Sequence, residues 1–367
     1  RRPGTLFRGL LLSEFATGAL REVFYRSHDL TGRRVGDPFM GGGTPLVEAN
    51  RLGCDVIGYD INPMAYWIVS QEIGHLDLGA YRAASARLRE ELEDAVGSLY
   101  RTTCLECGSD AAHVKYFIWV KVQPCVRCGR QITLFPGYLL AEDKRHPRNV
   151  LICAACGRLN ETTSTREPGR CSSCGHKLQL RGPATRNQCP CPGCGEVNTY
   201  PNAALGVPKH RMVAIEYHCP RCKPGHTGRF FKTPDASDQA RYASAVERWQ
   251  ALQPEFVPVD LIPRGDETDR LHRWGYTHYR EMFNERQLLG LELSCRAIAQ
   301  HGEDRVREAL ETNLSDLLRY QNMLCRYDTM ALKSLDVFSV HGFPVGLVQC
   351  ESNLLGITNG REGTSVG

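Results

Sequence analysis

Twelve of the 17 cysteines in this 367-residue chain fall into six C-x-x-C pairs: Cys104/Cys107, Cys125/Cys128, Cys153/Cys156, Cys171/Cys174, Cys191/Cys194 and Cys219/Cys222. Each C-x-x-C turn sets two sulfurs on one side of a loop, and two such turns supply the four tetrahedral thiolates that Zn2+ takes. Taken in chain order, the pairs predict three four-cysteine ribbons: Cys104/Cys107 with Cys125/Cys128, Cys153/Cys156 with Cys171/Cys174, and Cys191/Cys194 with Cys219/Cys222. The partners are then 17, 14 and 24 residues apart. Four protein ligands leave no open coordination position, so about three structural zinc ions are expected, which fold this segment rather than catalyse. Cys189 is a spare beside the third site, and His113, His176 and His218 stand close enough in sequence to replace a sulfur. Cys54, Cys295, Cys325 and Cys350 are lone and read as buried apolar thiols.

A second stretch, "GDPFMGGGTPLVEANRLGCDVIGYDINPMA" from Gly36 to Ala65, has the composition of a ligand-binding turn. A dinucleotide fold would continue Gly41-x-Gly43 with a third glycine at position 46, which is Leu46, and no Lys-Ser/Thr follows to cradle phosphates. A ligand without phosphates fits better. S-adenosylmethionine is one: its amino-acid end needs close backbone approach and an acid near its ammonium, and its ribose needs a carboxylate at the end of the next strand. Asp37 suits the first need and Asp60, 23 residues on, the second. Gly41 and Gly43 permit the close approach.

These residues need elements to hold them. Residues 1–100 read as α/β: "TGRRVGDPF" and "CDVIGYDIN" as short buried strands, with the helix "TPLVEANRLG" between them, capped by Thr44, opened by Pro45 and ended by Gly53. "YRAASARLREELEDAVGSLY" repeats Ala84, Leu88, Leu92, Ala95 and Leu99 at helical spacing. Residues 101–235 hold the cysteine knuckles among short strands and turns, and residues 236–367 turn helical again, in "ASDQARYASAVERWQAL", "ERQLLGLELSCRAIAQH" and "EDRVREALETNLSDLLRYQNMLCRYDTMAL". Three domains with those bounds are expected.

The net charge of +4 is unevenly spread: residues 101–235 carry 20 Lys and Arg against 9 Asp and Glu, the remainder 25 against 32. Three zinc ions on twelve thiolates would reduce that excess but leave it positive, a modest bias toward nucleic acid. Within it, "HVKYFIWVKV" sets Val114, Tyr116, Ile118, Val120 and Val122 on one face and Lys115, Phe117, Trp119 and Lys121 on the other, and "GRFFKT" (228–233) repeats the mixture. Cations among stacking rings suit a nucleic-acid surface, or else rings pack the ribbon beneath solvated lysines. No apolar run reaches membrane-spanning length and no signal peptide is evident, so an intracellular, cytoplasmic protein with no membrane partner is expected. Arg1 at the start and the Gly-rich "LLGITNGREGTSVG" at the end suggest a piece of something longer.

The string "DPFMGGGTPLVEANRLG…GYDINPMA" closely resembles the cofactor-binding motifs of DNA amino-methyltransferases, Asp-Pro-Phe-x-Gly-x-Gly-Thr followed by Asp-x-Asn-Pro. The resemblance implies a partial Rossmann-like methyltransferase fold, with Asp37, Pro38, Phe39, Gly41, Gly43 and Thr44 at the methionine end of S-adenosylmethionine. It puts Asp60 on the ribose and Ile61 and Asn62 beside the adenine. "YTHYREMFNERQLLGLELSCRAI", "LLRYQNMLCRYDTM" and "VFSVHGFPVGLVQCESNLLG" look like the region after the zinc insertion in large zinc-ribbon-containing adenine-specific DNA methylases. That family implies methylation of the adenine amine, with cytosine N4 the other option, and DNA as partner. Its amine-binding Asp/Asn-Pro-Pro-Tyr tetrapeptide is not in this chain, so no catalytic residue is assigned and a second polypeptide carrying that half is one expectation. Two other readings stay open: a zinc-ribbon nucleic-acid-binding protein with a vestigial methyltransferase domain, and an RNA methyltransferase.

Overall fold

The computed structural model describes residues 3–357, so the Gly-rich end beyond Ile357 lies outside the described residues. The chain divides into two compact units, one formed up to Ala84 with His301–Leu310, the other by Ser85–Gln300 and the chain from Glu311 onward.

The first unit contains α1 (Gly4–Phe15), α2 (Leu20–Val23), β1 (Arg34–Asp37), α3 (Thr44–Arg51), β2 (Asp55–Gly58), α4 (Pro63–Ile73) and the start of α5 (Leu78–Val96). β1 and β2 pair in parallel from Arg34↔Asp55 to Asp37↔Gly58, with α3 as the crossover, so a βαβ unit is present. Leu12, Ala49, Leu52 and Cys54 form its core between α1 and α3, while Met40, Leu46 and Val69 pack the glycine turn onto α3 and α4. Two expectations need correction. Both strands alternate exposed with half-buried residues instead of lying buried, because their sheet has only two strands among the described residues. Thr44 is the first helical residue and Gly43, in the left-handed region at φ 66°, is the cap.

The second unit is organised by one long strand. After β3 (Arg101–Thr102) comes β4 (Ala112–Pro124), then β5 (Gln131–Thr133), β6 (Leu139–Ala141), β7 (Asn149–Ile152), β8 (Leu159–Thr162), β9 (Gln188–Pro190), β10 (Val197–Thr199), β11 (Lys209–His218) and β12 (Phe230–Lys232). The helices α6 (Ala236–Ala251), α7 (Asp269–Arg273) and α8 (Glu285–Ala299) follow, then the part of α9 (Asp304–Leu317) from Glu311 onward, β13 (Arg326–Asp328), β14 (Lys333–Leu335) and β15 (Val348–Ser352). The central sheet runs β12-β11-β4-β15, with β3 and β5 pairing to the two ends of β4.

β4 is buried on both faces. Tyr116, Ile118 and Val120 pack with Leu140, Val150 and Val213, whereas Phe117 and Trp119 pack with Ile215, Ala245 of α6 and Leu289 of α8. Phe117, Trp119 and Lys121 on the face of mixed rings and cations are therefore not a solvent surface, being 1%, 4% and 0% exposed, whereas Lys115 on the same run is half-buried. The C-terminal part also departs from expectation. Its third helix stops at Leu317, an antiparallel β13–β14 hairpin follows, and β15 pairs with β4 from Val348↔Val120 to Ser352↔Tyr116. Residues 101–235 and the C-terminal part outside His301–Leu310 thus share one compact unit, joined through the β4–β15 pairing, and the division at 235/236 is no boundary between units. No described helix is long and apolar enough to cross a membrane.

Candidate metal centres and glycine-turn site

The six knuckles share one local geometry. In each, the residue after the second cysteine returns its backbone N–H to the carbonyl of the first, from Gly108 to Cys104 (3.0 Å) through Lys223 to Cys219 (2.9 Å). Five of those residues are glycines at positive φ: Gly108, Gly129, Gly157, Gly175 and Gly195. The sixth is Lys223, where the chain enters a short 3-10 turn over Lys223–Gly225 instead. The loops also aim N–H groups at sulfur: the Cys128 backbone N–H pulls the Cys125 thiol down to about 6, toward the thiolate that binds metal.

The cysteines gather into three clusters of four: Cys104, Cys107, Cys219 and Cys222; Cys125, Cys128, Cys191 and Cys194; Cys153, Cys156, Cys171 and Cys174. All twelve predicted ligands are present, but the chain-order pairing holds only for the last cluster. The other two are nested: the outermost knuckles meet each other, and so do the next pair inward. The antiparallel ladder explains it. His113 at the start of β4 lies opposite His218 at the end of β11, while Val122 near the end of β4 lies opposite Lys209 at the start of β11. A knuckle leading into β4 therefore meets the knuckle leaving β11, and the knuckle after β4 meets the one before β11.

Cross-knuckle sulfurs lie 3.8 Å apart for Cys104–Cys222, 3.7 Å for Cys107–Cys219, 3.6 Å for Cys125–Cys194 and 3.7 Å for Cys153–Cys174. Four sulfurs at Zn–S bonds of ~2.3 Å in a tetrahedron stand about 3.8 Å apart, so the clusters fit zinc and are far from disulfide distance. Every described cysteine is free. His113, His176 and His218 belong to no cluster, and Cys189 stays a buried spare whose thiol burial pushes up to about 11. Cys54, Cys325 and Cys350 are buried as expected, whereas Cys295 is half-buried.

Sequence reasoning missed the second layer of these sites. Asn198 donates to Cys125 Sγ (3.6 Å) and accepts from the Val126 N–H (2.8 Å). Asn160 repeats this, donating to Cys171 Sγ (3.5 Å) and accepting from the Ser172 N–H (2.9 Å). Each steadies the facing knuckle from its own. The signal was available: both asparagines close a C-G-x-x-N string, "CGRLN" and "CGEVN". In the first cluster the Tyr217 hydroxyl reaches Cys104 Sγ (3.8 Å) instead.

In the other unit, the glycine turn and the second acid form one constellation. The Gly41 N–H donates to Asp60 Oδ2 (2.8 Å) and the Asn62 N–H to Asp60 Oδ1 (2.8 Å). Together these donors, Asn62 foremost, hold the Asp60 carboxyl below the usual carboxylate range. Asp37 ends β1, with Oδ1 accepting from the Phe39 N–H (3.0 Å) and Oδ2 buried without a partner. Asn62 caps α4 through the Met64 N–H (2.9 Å), and Thr44 opens α3. Gly43 is required by packing as well as by φ, since a Cβ there would collide with Val69, whereas Gly41 (φ 50°) and Gly42 face open space. Pro38 is exposed, and Phe39 and Ile61 stand 80% and 101% exposed beside the turn. The arrangement offers two acids, an open glycine edge and uncovered apolar side chains.

No protein-family model, curated protein or solved structure matches this chain.

Proposed function

We propose that the first unit binds S-adenosylmethionine through the glycine turn, and that the chain is the cofactor-binding and zinc-bearing part of a DNA amino-methyltransferase of Rossmann-like fold acting on adenine N6 or cytosine N4. The observation that carries this reading is the 2.8 Å bond tying Gly41 to Asp60, which makes the turn and the second acid a single cradle. Asp60 keeps free lone pairs on both oxygens for ribose hydroxyls. The orphaned Oδ2 of Asp37 is a buried acceptor that the cofactor's ammonium would satisfy. Ile61 stands exposed where an adenine ring would cover it, and Phe39 stands exposed at the methionine end. The cofactor supplies an electrophilic sulfonium methyl; this chain's residues bind and orient it. The amine-binding tetrapeptide is not in the sequence, so methyl transfer calls for a polypeptide segment that bears it.

Calorimetric titration of the zinc-loaded chain with S-adenosylmethionine tests the reading. Saturable binding is expected, weakened about tenfold or more in Asp60→Asn, which can still accept the Gly41 N–H but loses the charge. A folded, zinc-loaded chain that takes up no cofactor would favour a zinc-ribbon nucleic-acid binder with a vestigial βαβ unit.

A further inference from the structure

Helix α8 turns one stripe, Leu288, Leu291, Cys295 and Ile298, toward a cavity of about 500 Å3. Leu314 of α9, Met282 of the turn before α8 and Phe256 of the chain before that enclose its other sides. Polar struts that do not line the cavity hold those walls in place. Glu292, buried on α8, accepts from the backbone N–H groups of Glu255 (2.8 Å), Phe256 (2.9 Å) and Val257 (3.2 Å), and Glu281 accepts from those of Thr277 (2.6 Å) and His278 (2.9 Å). A packed core would close such a space, because an empty apolar cavity forfeits the contacts its walls would otherwise make. Its size falls within the ~300–1,000 Å3 of small-molecule sites, which are mostly apolar with a few placed polar groups.

One polar group narrows the class of ligand. Arg280 lines the cavity, is half-buried, and makes no ion pair or side-chain hydrogen bond among the described residues. Glu311, the acid on the same wall, is exposed and already has a partner of its own. A cation drawn partly out of water and left unpaired is costly, and an anion seated on it would offset that cost. The planar guanidinium fork matches a carboxylate. We propose that this cavity binds a free medium-chain carboxylate, its apolar chain along the α8 stripe and its head group on Arg280. The inference goes beyond the cofactor and nucleic-acid reading and does not depend on it.

The test is titration of the zinc-loaded chain with decanoate, octanoate and decanol, each below the concentration at which it self-associates. Alkylation of Cys295 by N-ethylmaleimide, followed by peptide mass, reports occupancy of this cavity and no other. Decanoate should bind one to one and slow that alkylation. It should bind about tenfold or more tightly than octanoate, from about fourfold per buried methylene. Decanol should bind about tenfold more weakly than decanoate, and Arg280→Gln should bring the two together. Leu291→Trp fills the cavity and should abolish protection of Cys295 in a chain that keeps its zinc. Asp60→Asn should change nothing, which separates this cavity from the uncovered apolar side chains of the glycine turn. No saturable binding, no protection of Cys295, or decanol as tight as decanoate would overturn the proposal. So would a dimer that Phe256→Asp dissociates, because a second copy of the chain would then be the cover.

Discussion

The two units reach their chemistry by opposite routes. In the glycine-turn unit, Asp37, Gly41 and Asp60 are close in sequence and are joined by backbone N–H groups, while Phe39, Tyr59, Ile61, Met64 and Tyr66 stand in the open. In the unit that holds the cysteine clusters, Cys107 meets Cys219 across 112 residues, and ionisable groups such as Lys121, Arg286 and Glu351 lie fully buried. Local bonds make a cradle whose shape survives small changes elsewhere. Long-range closure makes a scaffold in which one lost ligand releases a loop of many residues, with the chain entropy that loop regains. Perturbations in the second unit should therefore be the larger.

The largest effect tests the nesting itself. Cys107→Ser and Cys222→Ser should each reduce the zinc content from three ions to two, and the double variant should stay at two, because both belong to one cluster. Cys107→Ser with Cys128→Ser should fall to one, and chain-order pairing would reverse the two doubles. Zinc measured after mild chelator competition decides between them. Each lost site removes binding energy on the order of 10–16 kcal/mol from the folded state, so a steep loss of melting temperature should accompany it.

Next in size is the anchor that fastens β15 to the core. Glu351 accepts from Trp119 Nε1 (2.8 Å), Asn284 Nδ2 (2.8 Å) and Arg286 Nε (2.6 Å), and the Arg286 guanidinium lies 3.5 Å from the centre of the Phe117 ring. Glu351→Ala strands a buried guanidinium and should cost about 3–5 kcal/mol in chemical denaturation. Glu351→Leu with Arg286→Met should recover much of it, since neither charge then remains. A double variant no better than the single would show that the pair contributes more than its own compensation.

The contrast also explains what the sequence could reveal. The glycine turn was legible because its residues are neighbours, and the strand-helix-strand pattern follows from local capping and spacing. All twelve cysteines of the clusters were legible too, since C-x-x-C is itself a local signal. Their pairing was legible only for Cys153/Cys156 with Cys171/Cys174; for the other two clusters it depends on which strand lies antiparallel to β4, and β11 is 85 residues beyond the end of β4. The same blindness affected Lys121 and Trp119, whose alternation marked a strand correctly but could not say that α6 and α8 would cover the second face. β15 was hidden for that reason, because "VQCES" is a strand only once β4 offers it an edge.

Lys121 gives the smallest of these effects and the one with a definite sign. Its amine lies fully buried, 3.1 Å from His210 Nε2 and 5.4 Å from the centre of the Trp274 ring, with no carboxylate paired to it among the described residues, and burial pushes it down to about 7. The unfolded chain holds that proton to a pH of about 10.4, so between about 7 and 10 the unfolded state binds more protons than the folded one. Stability must then rise with pH across that window through this group, by up to about 1.4 kcal/mol per unit, and below it the full cost of burying the charge remains. Lys121→Met keeps the stem and removes the charge. At neutral pH it should stabilise the chain in denaturant titration, and the difference from the unaltered chain should fall by up to about 1.4 kcal/mol per unit as the pH is raised toward 10. A variant less stable at every pH would mean that the amine, not merely its stem, holds this part of the sheet together.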